Sequence, residues 1–228
     1  MDNAVENDQI EFENLKAVKR EHRQALLKHV SEIISAFLLS FATVASAWCA
    51  YQSSRWNGVQ TISFFEANNA RSESIRKSNE ALQFVAIDIG MFTEFITAYN
   101  EGNQQMMDFI MQRFRPEMRP AVEAWLATDP LNNSDAPPSP FAMKEYVSAA
   151  QVESDRLLVV AEQKFQEARQ ANQTSDNYVL LTVIFASILF FCGISTNFES
   201  FPIRATLVVF AIIIYVIAFS ILRTYPIY

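Results

Sequence analysis

The chain has 228 residues, half of them hydrophobic, with a formal net charge of −7. That acidity argues against a nucleic-acid surface, which needs clustered cations to displace counterions from phosphates. His22 and His29 lie ahead of the first apolar interval and Cys49 and Cys192 inside apolar intervals, so the segment between the first two intervals lacks the parts of a His/Cys metal centre or a Cys-His or Ser-His nucleophile, and four scattered glycines offer no phosphate cradle.

Residues 1–31 form an amphipathic segment expected on the cytoplasmic side. On a helix, Leu15, Val18, Leu26 and Val30 fall near one side and Lys16, Lys19, Arg20 and Arg23 elsewhere, an arrangement suited to anionic lipid headgroups. Interspersed acids such as Glu11, Glu13 and Glu21 equally suit a solvated extension.

The first span, residues 32–54, carries no charge between Glu32 and Arg55. At ~1.5 Å per residue such an interval crosses the roughly 30 Å hydrocarbon layer as a helix. The ASA triplet at Ala45 to Ala47 resembles a signal-peptidase site, but the long preceding segment and the apolar run on through Trp48 and Tyr51 favour a retained anchor. Lys16, Lys19, Arg20, Arg23 and Lys28 precede this span, while only Arg55 closely follows it. The positive-inside rule therefore places the N-terminus in the cytoplasm. Glu32 pairs with Lys28 in the preceding turn, at the membrane edge.

Small side chains fill this span, and in lipid small residues permit the close helix approach that drives association. Ala36, Ser40, Thr43, Ala47 and Ala50 are the expected packing positions. Three spans per chain supply too few neighbours for a helix small on several faces, so other copies of the chain, or a membrane-protein partner, complete the packing. The hydroxyls of Ser35, Ser40, Thr43 and Ser46 are candidates to line a pore in such an oligomer, or else bond to backbone.

Residues 55–176 form an extracytoplasmic antiparallel helical bundle inserted between spans one and two. The chain continues helically past Arg55, with a kink allowed at Asn57-Gly58, although the all-polar NNARSESIRKSNE suits a solvent-bridging helix or a loop. Ile75, Leu82, Val85, Ile89, Phe92, Ile96 and Tyr99 recur every three to four residues and mark a buried stripe. A turn at Asn100 to Asn103 leads to a short helix with Met107, Ile110, Met111 and Phe114 inward, ended by Pro116, and then to a second, EMRPAVEAWL. After the DPLNNSDAPPSP loop, Ser139 and Pro140 provide an N-cap and first-turn proline for a long helix. Met143, Val147, Ala150, Leu157, Ala161, Phe165 and Ala168 form its seam. Asp88, Glu94, Asp108 and Glu123 lack the spacing of an acid/base pair and read as solvated surface. Arg113, Arg115 and Arg119 surround two prolines and are candidates for an acidic partner or lipid headgroups, or for internal pairing at a rigid corner.

Two more charge-free windows give span two at residues 177–197 and span three at residues 205–222, joined by a cytoplasmic turn at 198–204 and followed by a periplasmic tail at 223–228. Trp48, Tyr51, Trp56, Tyr178, Tyr225 and Tyr228 then gather at the outer interface. Span one is expected at the centre, and span three, rich in Ile, Val and Phe, toward lipid. The segments FRPEMRPAVEAWLATDP, APPSPFAMKEY and DNYVLLTVIFASILFFCGI resemble those of an uncharacterised family of bacterial multi-pass membrane proteins, over about Trp48 to Gly193. That resemblance implies a bacterial inner membrane and carries no activity over to this chain.

The expectation is thus an all-α membrane protein with three transmembrane helices. It has no enzymatic role and no cofactor, metal or nucleic acid, and serves as an oligomeric scaffold or accessory subunit of a membrane assembly. The alternatives are an oligomeric ion or small-solute channel lined by span one, and a periplasmic sensor without a recognisable output domain.

Overall fold

The computed structural model describes residues 2–198 and 200–228, with side chains at 19, 22 and 23 and from 26 onward. Leu15, Lys16, Val18 and Arg20 of the amphipathic segment therefore lie outside the described side chains. The chain is 81% helix, and no strand occurs among the described residues. Five helices account for it: α1 (Asp2–Asn100), α2 (Gln104–Met111), α3 (Arg119–Leu126), α4 (Ala149–Ser195) and α5 (Phe201–Leu222). Of these, α1 from Leu26, α4 and α5 are long and apolar enough to cross a membrane.

The uninterrupted α1 follows from the absence of proline over its length. NNARSESIRKSNE is helical throughout, as is Asn57-Gly58. The helix stops where Gly102 adopts φ +68, and Asn103 N–H reaches back to Ala98 O (2.9 Å) while Gly102 N–H reaches Tyr99 O (3.2 Å). This pair of bonds satisfies the terminal carbonyls through a left-handed residue that glycine adopts without a Cβ clash. Asn103 then caps α2, its side chain accepting from Met106 N–H (3.1 Å).

Residues 1–61 and 168–228 form one compact unit, and residues 62–167 a second. In the first, α4 runs antiparallel to α1 and α5. Ser53 meets Ser175 (3.0 Å), Phe185 packs on Tyr215 and Phe191 on Phe210, and Glu32 bonds Arg204. The core comprises Ala42 and Cys49 of α1, Tyr178, Leu181, Phe185, Ile188 and Cys192 of α4, and Ala211 and Ala218 of α5. Among the apolar windows, that of α4 is the most enclosed. This corrects the expectation of a central span one: large side chains of α4 fill the interior, whereas much of the small-residue surface of α1 is left uncovered. Through α5, Val209, Phe210, Ile213, Val216 and Ile217 point outward.

In the second unit, α1 and α4 are again antiparallel and are locked by a reciprocal serine pair. Ser74 Oγ donates to Ser154 O (2.8 Å), and Ser154 Oγ donates to Ser74 O (2.9 Å). Two side chains that each reach the other backbone require the helices to lie close, and only small residues fit such a seam. Ala67, Ser74 and Ala81 of α1 and Ser154 and Ala161 of α4 are accordingly buried.

This close packing shifts the buried stripe from its expected place. The buried row is Ala81, Asp88, Phe95 and Ala98, whereas Ile75, Leu82 and Ile89, read from the sequence as core, are exposed. A second difference concerns residues 140–148. Only a 3-10 turn forms, Pro140–Ala142, and α4 begins at Ala149 with Ser148 as its cap, the Ser148 Oγ accepting from Gln151 N–H (3.3 Å). Local helix propensity yields there to packing, because Phe141 sits edge-on to Phe92 and Tyr146, and Tyr146 reaches Asp88.

Candidate functional site

The most strongly organised polar group in the 62–167 unit centres on Asp88. It occupies the heptad row Ala81, Asp88, Phe95 and is fully buried, which corrects its reading as solvated surface. Glu94, Asp108 and Glu123 are exposed. Asp88 Oδ2 accepts from Arg115 Nη1 (3.0 Å) and from the Tyr146 hydroxyl (2.9 Å). Arg115 also donates to Glu117 (2.7 Å), and its guanidinium lies 3.9 Å over the Phe84 ring. A buried carboxylate is costly unless paired and hydrogen-bonded; the two donors provide that at Oδ2, while Oδ1 is buried without a partner. Tyr146 is held in the neutral form: burial and then the hydrogen bond to the Asp88 carboxylate push its pKa up from the usual phenol value.

Chain geometry explains why Arg115 is the partner. Pro116 follows it directly, and the carbonyl of Arg115 accepts from Met118 and Arg119 N–H (3.0 and 3.1 Å), which fixes the corner into α3. Around the corner lies an apolar cluster of Phe95, Ile110, Phe114, Met118 and Val122. Trp125 closes it, edge-on to Phe92 and donating Nε1–H to Pro137 O (2.7 Å).

The three arginines of this corner diverge. Arg115 is committed internally. Arg113 stacks on Phe109 at 3.5 Å and donates to Phe109 O, and Arg119 donates to Gln112 O (2.9 Å); both remain exposed. The corner is therefore a rigid ion-paired joint with two outward cations. No group of three or more His, Cys, Asp or Glu among the described residues is placed to hold a metal ion.

In the 1–61/168–228 unit, the residues singled out along span one separate into two faces. Ala36, Ser40, Thr43, Ala47 and Ala50 are all exposed, while Ser35 is buried and Ser46 half-buried. The Ser40 hydroxyl donates to Ala36 O (2.9 Å) and that of Thr43 to Leu39 O (2.7 Å), the usual back-bonding of helical hydroxyls. Ser35 Oγ has no partner. Glu32 contacts Arg204 Nη1 (3.2 Å) and His29 (3.5 Å) rather than Lys28. Arg204, only 2% exposed, needs a counter-charge that an exposed lysine one turn away does not.

Of the aromatic residues expected at one interface, Trp56, Tyr178, Tyr225 and Tyr228 come together around the C-terminal tail, while Trp48 and Tyr51 are exposed and pack on each other. The Pro226 carbonyl accepts from Trp56 Nε1–H and from the Tyr178 hydroxyl, both at 3.1 Å, and Tyr228 N–H donates to the buried Gln52 Oε1 (3.0 Å). Arg55 covers the Tyr228 ring at 4.2 Å, and Tyr225 packs on Tyr178. Sequence reasoning placed these rings at one level but gave no signal that the tail folds back. The one available hint was Gln52, a polar side chain with small and aromatic neighbours. Comparison with protein-family models, curated proteins and solved structures yields no match.

Proposed function

We propose that the protein is a non-enzymatic, three-span protein of a bacterial inner membrane that works as an oligomeric scaffold or accessory subunit. In this reading residues 1–31 are cytoplasmic, residues 55–176 periplasmic, the 198–204 turn cytoplasmic and the 223–228 tail periplasmic. The observation that carries it is the strip Ala36, Ser40, Thr43, Ala47 and Ala50, five small residues at alternating steps of four and three, left uncovered by the chain's own helices. Lipid tails gain nothing from small residues, whereas a second helix gains close van der Waals contact. The ion-paired corner at Asp88 and Arg115 suits a rigid spacer, since its buried carboxylate is tied internally to Arg115 and Tyr146.

The lipids of the bilayer and either further copies or a membrane-protein partner are thus its partners. Exposed Ser40 and Thr43 support a second reading, an ion or small-solute channel lined by the same strip. The native mass of the complex in lipid nanodiscs tests the leading reading. A mass of two or more 26.0 kDa chains, or one chain with a stoichiometric partner, is expected, and a solitary protomer would overturn it. Liposome ion flux abolished by Thr43→Leu would shift the conclusion to the channel.

A further inference from the structure

We propose that the end of the 1–61/168–228 unit where α5 begins binds a phosphate group, such as a phospholipid headgroup carries, and that Arg204 is the residue that takes it. This deepens the membrane reading above and rests on it, because a chain threaded through a bilayer presents that end to headgroups.

Arg204 is only 2% exposed, and of its several N–H donors one is used among the described residues, Nη1 to Glu32 Oε1 at 3.2 Å. Its Nε–H is buried without an acceptor. One turn along α1 from Glu32, Ser35 is 1% exposed and its Oγ is likewise without a partner. Two helices thus bring unmet polar groups to within a turn of one ion pair. Buried donors left unsatisfied are costly, and an ionisable side chain enclosed at the edge of a span points to a ligand or pathway. What the site lacks is acceptor oxygen.

The position of Arg204 names the charge of that acceptor. It lies in the first turn of α5, whose N-cap Ser200 makes no side-chain hydrogen bond. A helix N-terminus carries partial positive charge and favours anions, so a guanidinium enclosed there adds to the field instead of offsetting it. The Glu32 carboxylate is 43% exposed and solvent screens it, which leaves the compensation incomplete. Exposed Lys28 and His29 in the preceding turn of α1 add further attraction for an anion.

Phosphate suits these groups, since its oxygens match the guanidinium fork and leave an acceptor for a serine hydroxyl. Basic pockets between spans hold lipid headgroups in this way. Glu32 stands at the way in, because it is exposed and the guanidinium it touches is not. It also lies 3.5 Å from His29 Nδ1, which gives the carboxylate a second place to rest. Two anions on one guanidinium repel each other, so phosphate and Glu32 exchange.

The test uses the full chain, delipidated in a neutral detergent, with phosphatidylglycerol, diacylglycerol or inorganic phosphate added separately. Binding is read by native mass spectrometry and by melting temperature. Phosphatidylglycerol should be retained and raise the melting temperature, whereas diacylglycerol, which has the tails without the phosphate, should not. An equal rise with inorganic phosphate alone keeps the site and assigns it to free phosphate. Arg204→Gln is expected to weaken phosphatidylglycerol binding about tenfold, the worth of one charged hydrogen bond. Should that variant lose helicity by circular dichroism, Glu32→Gln decides: freeing the guanidinium from its carboxylate should tighten binding about threefold. Retention of diacylglycerol as strong as that of phosphatidylglycerol, no retention of either, or binding unchanged in a folded Arg204→Gln or in Glu32→Gln overturns the site. If Lys19→Cys and Gln163→Cys then still label from opposite sides of the membrane, the three-span reading stands. Labelling of both from one side overturns both.

Discussion

At the scale of single residues, Asp88 and Arg115 are the pair on which the 62–167 unit depends. Removing one member of a buried ion pair leaves the other charged and unpaired, at about 3–5 kcal/mol. Arg115→Ala is therefore expected to lower thermal stability by about that amount, while Asp88→Leu combined with Arg115→Met should cost clearly less, as thermal unfolding followed by circular dichroism would show. Tyr146 adds a pH dependence. Its folded pKa is raised, so its contribution is fully present below the unfolded phenol value of about 10 and is lost as pH climbs through the folded value. Stability should thus fall as pH rises above about 10, and less steeply in Tyr146→Phe. Sequence reasoning saw the proline-bounded arginine corner but not its counter-ion, 27 residues away. The available signal was a single carboxylate inside ALQFVAIDIGMF, since an acid flanked on both sides by apolar positions is hard to leave solvated.

At the scale of elements, the helices that could be read from the sequence are those whose hydrophobic period agrees with their packing. α2 and α3 appear near their expected places because Ile110, Phe114, Val122 and Trp125 are both apolar and inward. α1 in the 62–167 unit misleads, since its closest neighbour is met through Ser74 and Ala81 and the larger Ile75 and Leu82 are turned away. Hydrophobicity ranks those residues in the reverse order, so periodicity alone selects the wrong face. The start of α4 differs from its expected place for a related reason: Ser139 and Pro140 are sound capping residues, but Phe141 and Tyr146 pack in the aromatic cluster with Phe92 and α4 begins only at Ala149. The C-terminal tail gives an element-level prediction. Deleting Tyr225 to Tyr228 removes the acceptor of Trp56 and Tyr178 and leaves the buried Gln52 without its donor. An unsatisfied buried group costs about 1–3 kcal/mol, so the truncated chain should melt earlier in detergent, with Gln52→Leu recovering part of the loss.

At the scale of the whole molecule, the three apolar helices were fully legible, because a hydrocarbon layer demands long charge-free intervals and little else in a sequence produces them. Which helix face meets which neighbour was not legible, since apolar side chains are equally at home against lipid and protein. That is why the interior of the 1–61/168–228 unit is filled from α4, while the small-residue strip of α1 stays bare. The threading proposed above puts Lys19 and Gln163 on opposite sides of the bilayer. It is tested most directly by labelling Lys19→Cys and Gln163→Cys in intact bacterial spheroplasts with a membrane-impermeant thiol reagent, the buried Cys49 and Cys192 giving a silent background. Gln163→Cys is expected to react at once and Lys19→Cys only after permeabilisation; equal reactivity of the two before permeabilisation would place both on one side and overturn the proposed threading.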